Sequence, residues 1–170
     1  MGTFWNTYAF FVLYANIDDF DATKYKMDKE SLTVMDRWIL SRLNSTVKEA
    51  DSDMEDYKIP ETARALLSFV DDLSNWYVRR CPARFWAKGM EQDKINAYMT
   101  IYECLVTIAK ASAPLIPFMA EEIYLNIVRS VDKTSPESVH LCDYPSCDES
   151  MIDLALEEEM GLLLKVVTAT

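Results

Sequence analysis

Apolar residues along the chain recur at helical rather than strand spacing. Positions 5–15 are apolar almost all round, a short helix expected to be buried on several sides. Polar residues 16–30, with Asp18, Asp19 and Asp21, break that pattern and read as a linker. Thr33 followed by Asp36 has capping-box spacing, so a second helix is expected to start there. Its apolar face is Met35, Ile39, Leu43, Val47, Ala50 and Met54, with Arg37 and Arg42 off it, and the acidic run 51–56 ends it near Tyr57. Pro60 suits the first turn of a third helix, whose stripe is Ala63, Leu66, Val70, Leu73 and Tyr77. Phe69 and Trp76 form a second stripe, which makes this helix the expected centre of the fold.

Gly89 closes the next segment, and Asp93 is the expected cap of a fourth helix carrying Ile95, Met99, Tyr102, Val106 and Ala109. Pro114 and Pro117 make a corner into a helix continued by Ile123 and Ile127, with Glu121 and Glu122 in its early turns. A polar connection with Pro136 and Pro145 follows, in which SVHL is expected to be extended, and a last helix carries Leu156, Met160, Leu163 and Val167 up to Thr170. The predicted fold is all-α, an antiparallel bundle of about five or six helices forming a single domain over 1–170. Within it, 4–30 is a first helix and linker, 33–131 the core of the bundle, 132–151 a long loop and 152–170 a truncated last helix. Neither end carries a cap or leader, so the chain reads as a piece of a longer protein.

Composition agrees with helices: half the residues are hydrophobic, and there are only three glycines and six prolines. The four cysteines lack the spacing of a disulfide framework, there is no signal-peptide pattern, and the longest early apolar stretch falls far short of the roughly 20 residues that cross a bilayer. A cytoplasmic protein with no membrane partner is expected. A formal net charge of −11 argues against nonspecific binding to nucleic acid, DNA included. His140 is the only histidine, Cys142 and Cys147 have no second ligand pair, and the acids at 71–72, 121–122 and 157–159 read as solvated faces. No catalytic, cofactor or metal site is expected.

Against that acidic background SNWYVRRCPARFWAK, at 74–88, gathers Trp76, Tyr77, Phe85 and Trp86 among Arg79, Arg80, Arg84 and Lys88. Aromatic faces stack on unpaired bases and guanidinium groups grip phosphate, a combination suited to single-stranded nucleic acid. The alternative is structural, with the aromatics in a helical core and the arginines paired to Asp71, Asp72 or Glu91. Arg79, Arg80, Arg84 and Lys88 are the candidate RNA contacts, with Trp86 as stacking platform and Arg37 and Arg42 in support; Trp76 and Tyr77, on the apolar stripes, are expected in the core. Pro82 predicts a kink or break at Cys81, and Arg80, Arg84 and Lys88 share a face only if the helix runs through it.

SNWYVRR followed by RFW resembles the anticodon-binding domain of bacterial-type isoleucyl-tRNA synthetases, which are class I enzymes. WNTYAFFVLYANID at 5–18, MDRWILSRLNS at 35–45, APLIPFMAEEIY at 113–124 and SVHLCDYP at 138–145 resemble that family in its order. Pro82 and Ala83 depart from it, standing where an arginine and a charged residue are usual. KMDKES at 26–31 is superficially similar to the family's KMSKS loop, but lies downstream of where that loop belongs and has Asp28 in place of the serine, so it reads as linker. The resemblance implies a domain that holds the anticodon stem-loop of isoleucine tRNA for a catalytic domain elsewhere, which uses ATP and Mg²⁺; this stretch itself would not be an enzyme. Its partners would be that tRNA and the remaining domains of the synthetase. The alternatives are the same domain of the valyl relative, or a cytosolic helical scaffold whose aromatic and basic patch binds an acidic protein.

Overall fold

The structure is a computed structural model that describes residues 2–168, so Met1 and the expected end of the last helix at Thr170 lie outside the described residues. Seven α-helices and no strand are present among them: α1 (Gly2–Ile17), α2 (Val34–Glu55), α3 (Ile59–Asp71), α4 (Pro82–Trp86), α5 (Gln92–Ser112), α6 (Pro117–Tyr124) and α7 (Leu154–Thr168). This is the expected all-α bundle, with the five-residue α4 as the added element.

The Thr33 capping box forms as the spacing predicts. Its hydroxyl accepts from the Asp36 backbone N–H at 3.2 Å, and the Asp36 carboxylate accepts from the Thr33 N–H at 2.9 Å. The short turn 56–58, with Tyr57 in the left-handed region at φ 59°, returns the chain so that α3 packs along α2. The chain stays helical beyond α3. It runs on as a π-helical segment, Asp72–Val78, in which the Arg79 N–H reaches back five residues to the Ser74 carbonyl. A second such segment, Leu125–Arg129, extends α6.

The centre of the bundle is α5, not the third helix. α5 packs against α1, α2, α3, α4 and α6, and buries Ile101, Cys104, Leu105 and Ile108 along with the polar Lys94, Asn96 and Thr100. A helix enclosed on several sides has no single apolar stripe, so Met99, Tyr102 and Val106, chosen by one-face periodicity, lie half-buried beside the main contact. Asp93 does not cap α5: Glu91 holds the cap position without a side-chain bond, and Asp93 turns to a basic partner.

α1 is buried on one face only, through Phe4, Tyr8, Phe11 and Ala15, while Leu13 and Ile17 face solvent at 56% and 68% exposure. Burial on several sides, expected from its uniform hydrophobicity, does not occur. α7 packs through Leu156, Met160 and Leu164, and leaves Leu163 and Val167 on its exposed side. SVHL is a single 3₁₀ turn rather than extended, because Ser138 accepts from the His140 N–H at 3.2 Å and Glu121 accepts from the Val139 N–H at 2.8 Å. KMDKES likewise forms a turn, with Asp28 accepting from the Glu30 N–H at 3.1 Å.

Candidate nucleic-acid interface

The basic and aromatic run is divided by a break where Pro82 predicts one. Cys81 has non-helical backbone angles, φ −113° and ψ 24°, and Pro82 opens α4. A proline at the first position of a helix removes only an N–H that would lack a helical partner in any case. The helix therefore stops and restarts, and Arg80, Arg84 and Lys88 do not share one continuous helical face.

Before the break, Tyr77 is fully buried and Trp76 is half-buried. Arg79 and Arg80 are exposed at the end of the π segment. The Arg80 guanidinium carbon lies 5.2 Å from the centre of the Trp76 ring, within the range of a cation–π contact. Asn75, Trp76, Arg79 and Arg80 line an open cleft of about 440 Å³. Among the described residues Arg37, Arg79, Arg80 and Lys88 make no ion pair. The acids expected to neutralise the arginines are engaged elsewhere or leave them unpaired; Asp72, for one, pairs with Arg42 at 3.2 Å.

After the break, Phe85 is buried, with edge contacts to Phe10 and Tyr98 at ring separations of 5.3 and 5.2 Å. Trp86 turns outward at 63% exposure, and its indole N–H donates to the Tyr14 hydroxyl at 2.8 Å. A large ring held by its edge with its surface in solvent suits stacking. Lys88 is exposed just beyond α4. The chain then turns at Gly89, whose φ of +80° favours glycine.

Arg84 points the other way. Its side chain is 13% exposed and meets the fully buried Asp36 carboxylate in a two-pronged pair, at 2.7 and 2.9 Å. Its Nε donates to the Asp93 carboxylate at 3.0 Å and its Nη2 to the Asp93 carbonyl at 2.9 Å, so every guanidinium nitrogen is engaged. The Tyr77 hydroxyl donates to the same Asp36 carboxylate. Burial alone would raise the Asp36 pKa, but the hydrogen bonds from Arg84 and Tyr77 and the Arg84 charge outweigh it and hold the carboxyl below its ordinary value. Burial opposes the charge on Arg84 too, yet the bonds to Asp36 and Asp93 raise its pKa further. Burial pushes the Tyr77 hydroxyl well up, and the neighbouring Asp36 charge adds to that.

Arg42 is also engaged internally, joining Asp72 to Glu157 of α7 at 3.2 and 3.5 Å. Burial raises the Asp72 pKa despite the Arg42 charge. Arg37 is exposed at the start of α2, next in sequence to Asp36 and so at the same end of the bundle as the Arg84 pair.

Lys94 was not marked out by its sequence context. It is buried in the first turn of α5, donates to the Ala87 carbonyl at 2.8 Å and pairs with Asp18 at 2.7 Å, fastening the end of α4 to the linker after α1. The Tyr98 hydroxyl donates to the same Asp18, and its pKa is raised by burial and by that bond.

The chain is similar to known proteins over nearly all of its length. The family model described as "Anticodon-binding domain of tRNA ligase" matches residues 36–170. Over 167 residues and 98% of its length, the chain is 52% identical to the isoleucine–tRNA ligase of Clostridium novyi and 49% identical to that of Clostridium tetani. Over 168 residues it is 42% identical to the isoleucine–tRNA ligase of Bacteroides fragilis. The chain spans about 16% of the length of the clostridial relatives and 15% of the Bacteroides protein. No helix among the described residues is long and apolar enough to cross a membrane. A family model matching residues 36–170 and relatives 42–52% identical over nearly the whole of an all-helical chain lead to one conclusion: the chain belongs to the anticodon-binding domain family of tRNA ligases.

Proposed function

We propose that this chain binds the anticodon stem-loop of isoleucine tRNA, as one domain of an isoleucine–tRNA ligase whose other domains, with ATP and Mg²⁺, attach the amino acid in the cytoplasm. The observation that carries the proposal is the pairing of unpaired cations with accessible aromatic surface in an otherwise acidic chain. Arg79 and Arg80 flank the Trp76 cleft, and Trp86 and Lys88 stand beyond the break. In this reading the cations anchor the loop backbone and the tryptophans take unstacked bases, the usual division of labour in recognition of single-stranded RNA. Arg37 adds charge at the same end of the bundle. Arg42, spent on Asp72 and Glu157, acts through the scaffold. The relatives at 42–52% identity are isoleucine enzymes, which supports this branch over the valyl alternative.

The test is fluorescence anisotropy of a labelled isoleucine tRNA stem-loop, against the same stem-loop with a changed anticodon, at two salt concentrations. Tighter binding of the native loop, weakened by salt, is expected. Equal affinity for both loops, or none, would refute the reading.

A further inference from the structure

Resting on that function, we propose that Arg84 is a positioning residue for Trp86 and makes no contact with RNA. Its neighbours in sequence suggest a phosphate ligand, but its guanidinium is fully engaged with Asp36, Asp93 and the Tyr77 hydroxyl, at 2.7 to 3.4 Å. α4 has only five residues, too few to be stable without tertiary contacts. Three groups anchor it. Arg84 fastens its middle to the first turns of α2 and α5, Phe85 fills the aromatic core, and the Lys94 bond fixes the Ala87 carbonyl. Trp86 lies between the second and third of these anchors, with its indole N–H on Tyr14.

Arg84 therefore sets the angle at which α4 leaves the break, and with it the plane of the Trp86 ring. The same bonds join α4 to the segment before the break, because Asp36 accepts from both Arg84 and Tyr77. The tryptophan platform and the Trp76–Arg80 cleft are held in register by one buried carboxylate.

The test labels the whole chain with 5-fluorotryptophan and reads its four tryptophans by ¹⁹F NMR, with Trp86 assigned from Trp86→Phe. Arg84→Lys keeps the charge but loses the two-pronged geometry. It is expected to move the Trp86 resonance alone and to weaken stem-loop binding about five- to tenfold, part of what losing a stacked base costs. The dependence of log affinity on log salt should be unchanged. An unmoved Trp86 resonance in Arg84→Lys, with a salt slope smaller by about 0.7 in the charge-removing Arg84→Gln, the value of one single-strand phosphate contact, would overturn the proposal and make Arg84 an RNA ligand. Movement of all four resonances would overturn it in favour of a general structural role. If Arg84→Lys does not fold, Asp93→Asn at the exposed side of the cluster decides: a smaller Trp86 shift with about twofold weaker binding is expected, and no shift overturns the proposal. A wild-type chain that binds no stem-loop refutes the function above, and the Trp86 resonance alone then decides the positioning role.

Discussion

The segments on either side of Cys81 are built alike. Each gives one aromatic residue to the core and keeps a tryptophan accessible: Tyr77 with the half-buried Trp76 before the break, Phe85 with the exposed Trp86 after it. They differ in their arginines. Arg79 and Arg80 stay in water and unpaired, whereas Arg84 is taken inside against Asp36. Residue type and local sequence are nearly the same, so a distant carboxylate, placed at the start of α2 by an ordinary helix cap, decides the difference. Positive charge in a binding motif thus has two destinations, and only the geometry of the fold says which one an arginine takes.

Removing the carboxylate is expected to disturb this contrast most. Asp36→Asn leaves Arg84 buried with only Asp93 to balance it and should cost about 3 kcal/mol in urea unfolding, at the lower end for a broken buried pair. The pH dependence has a definite sign. The Asp36 pKa is depressed in the folded state, so its contribution is fully present above the unfolded-state value of about 3.9 and is lost as pH falls through the folded value. Stability of the wild type should fall more steeply with acid below about pH 4 than that of Asp36→Asn.

Tyr77→Phe keeps the ring in the core and removes one donor to the charged carboxylate. A loss of about 1.5 kcal/mol is expected by the same measurement. Pro82→Ala should cost less, about 0.5 to 1 kcal/mol, because the proline fits its first-turn position and restricts the unfolded chain. The Trp86 resonance should stay in place, since Arg84 rather than the proline holds α4.

On the exposed side, Arg79→Gln with Arg80→Gln should leave stability within about 0.5 kcal/mol, as neither residue is in an ion pair. Stem-loop affinity should fall, and the salt slope should shrink by about 1.4 if each arginine neutralises one phosphate. Unfolding of this double variant would erase the distinction between the two segments.

The helices of this bundle were readable from their punctuation: the Thr33 capping box, Pro60, Pro82 and the corner at Pro114 and Pro117 all mark turns or helix ends. Local chemistry controls such boundaries, so local sequence reports them. The central position of α5 was not readable, because its buried surface includes Lys94, Asn96 and Thr100 and shows no single stripe. In the candidate site, the cluster of aromatics and cations was visible, but the inward turn of Arg84 was not. Its partner lies 48 residues earlier and already has a local role as a cap, so nothing in either neighbourhood points to the other.

The π segment between Asp72 and Val78 acts as a phase shifter. An α-helix turns about 100° per residue, so holding one residue more than a regular helix would rotates everything downstream by about that angle relative to the stripe of Leu66, Phe69 and Val70. Tyr77, buried beneath Asp36, and the exposed Arg79 and Arg80 lie in or just past this change of register. Because an i→i+5 turn holds one residue more than an i→i+4 turn, deleting one residue from the segment would return it to ordinary α-helical bonding with the upstream stripe and Tyr77 left in place. Chain length is therefore less constrained here than in the regular turns of α3, where losing one residue would rotate everything downstream by about 100°, and a single-residue deletion in the π segment should do less harm than one between Leu66 and Val70.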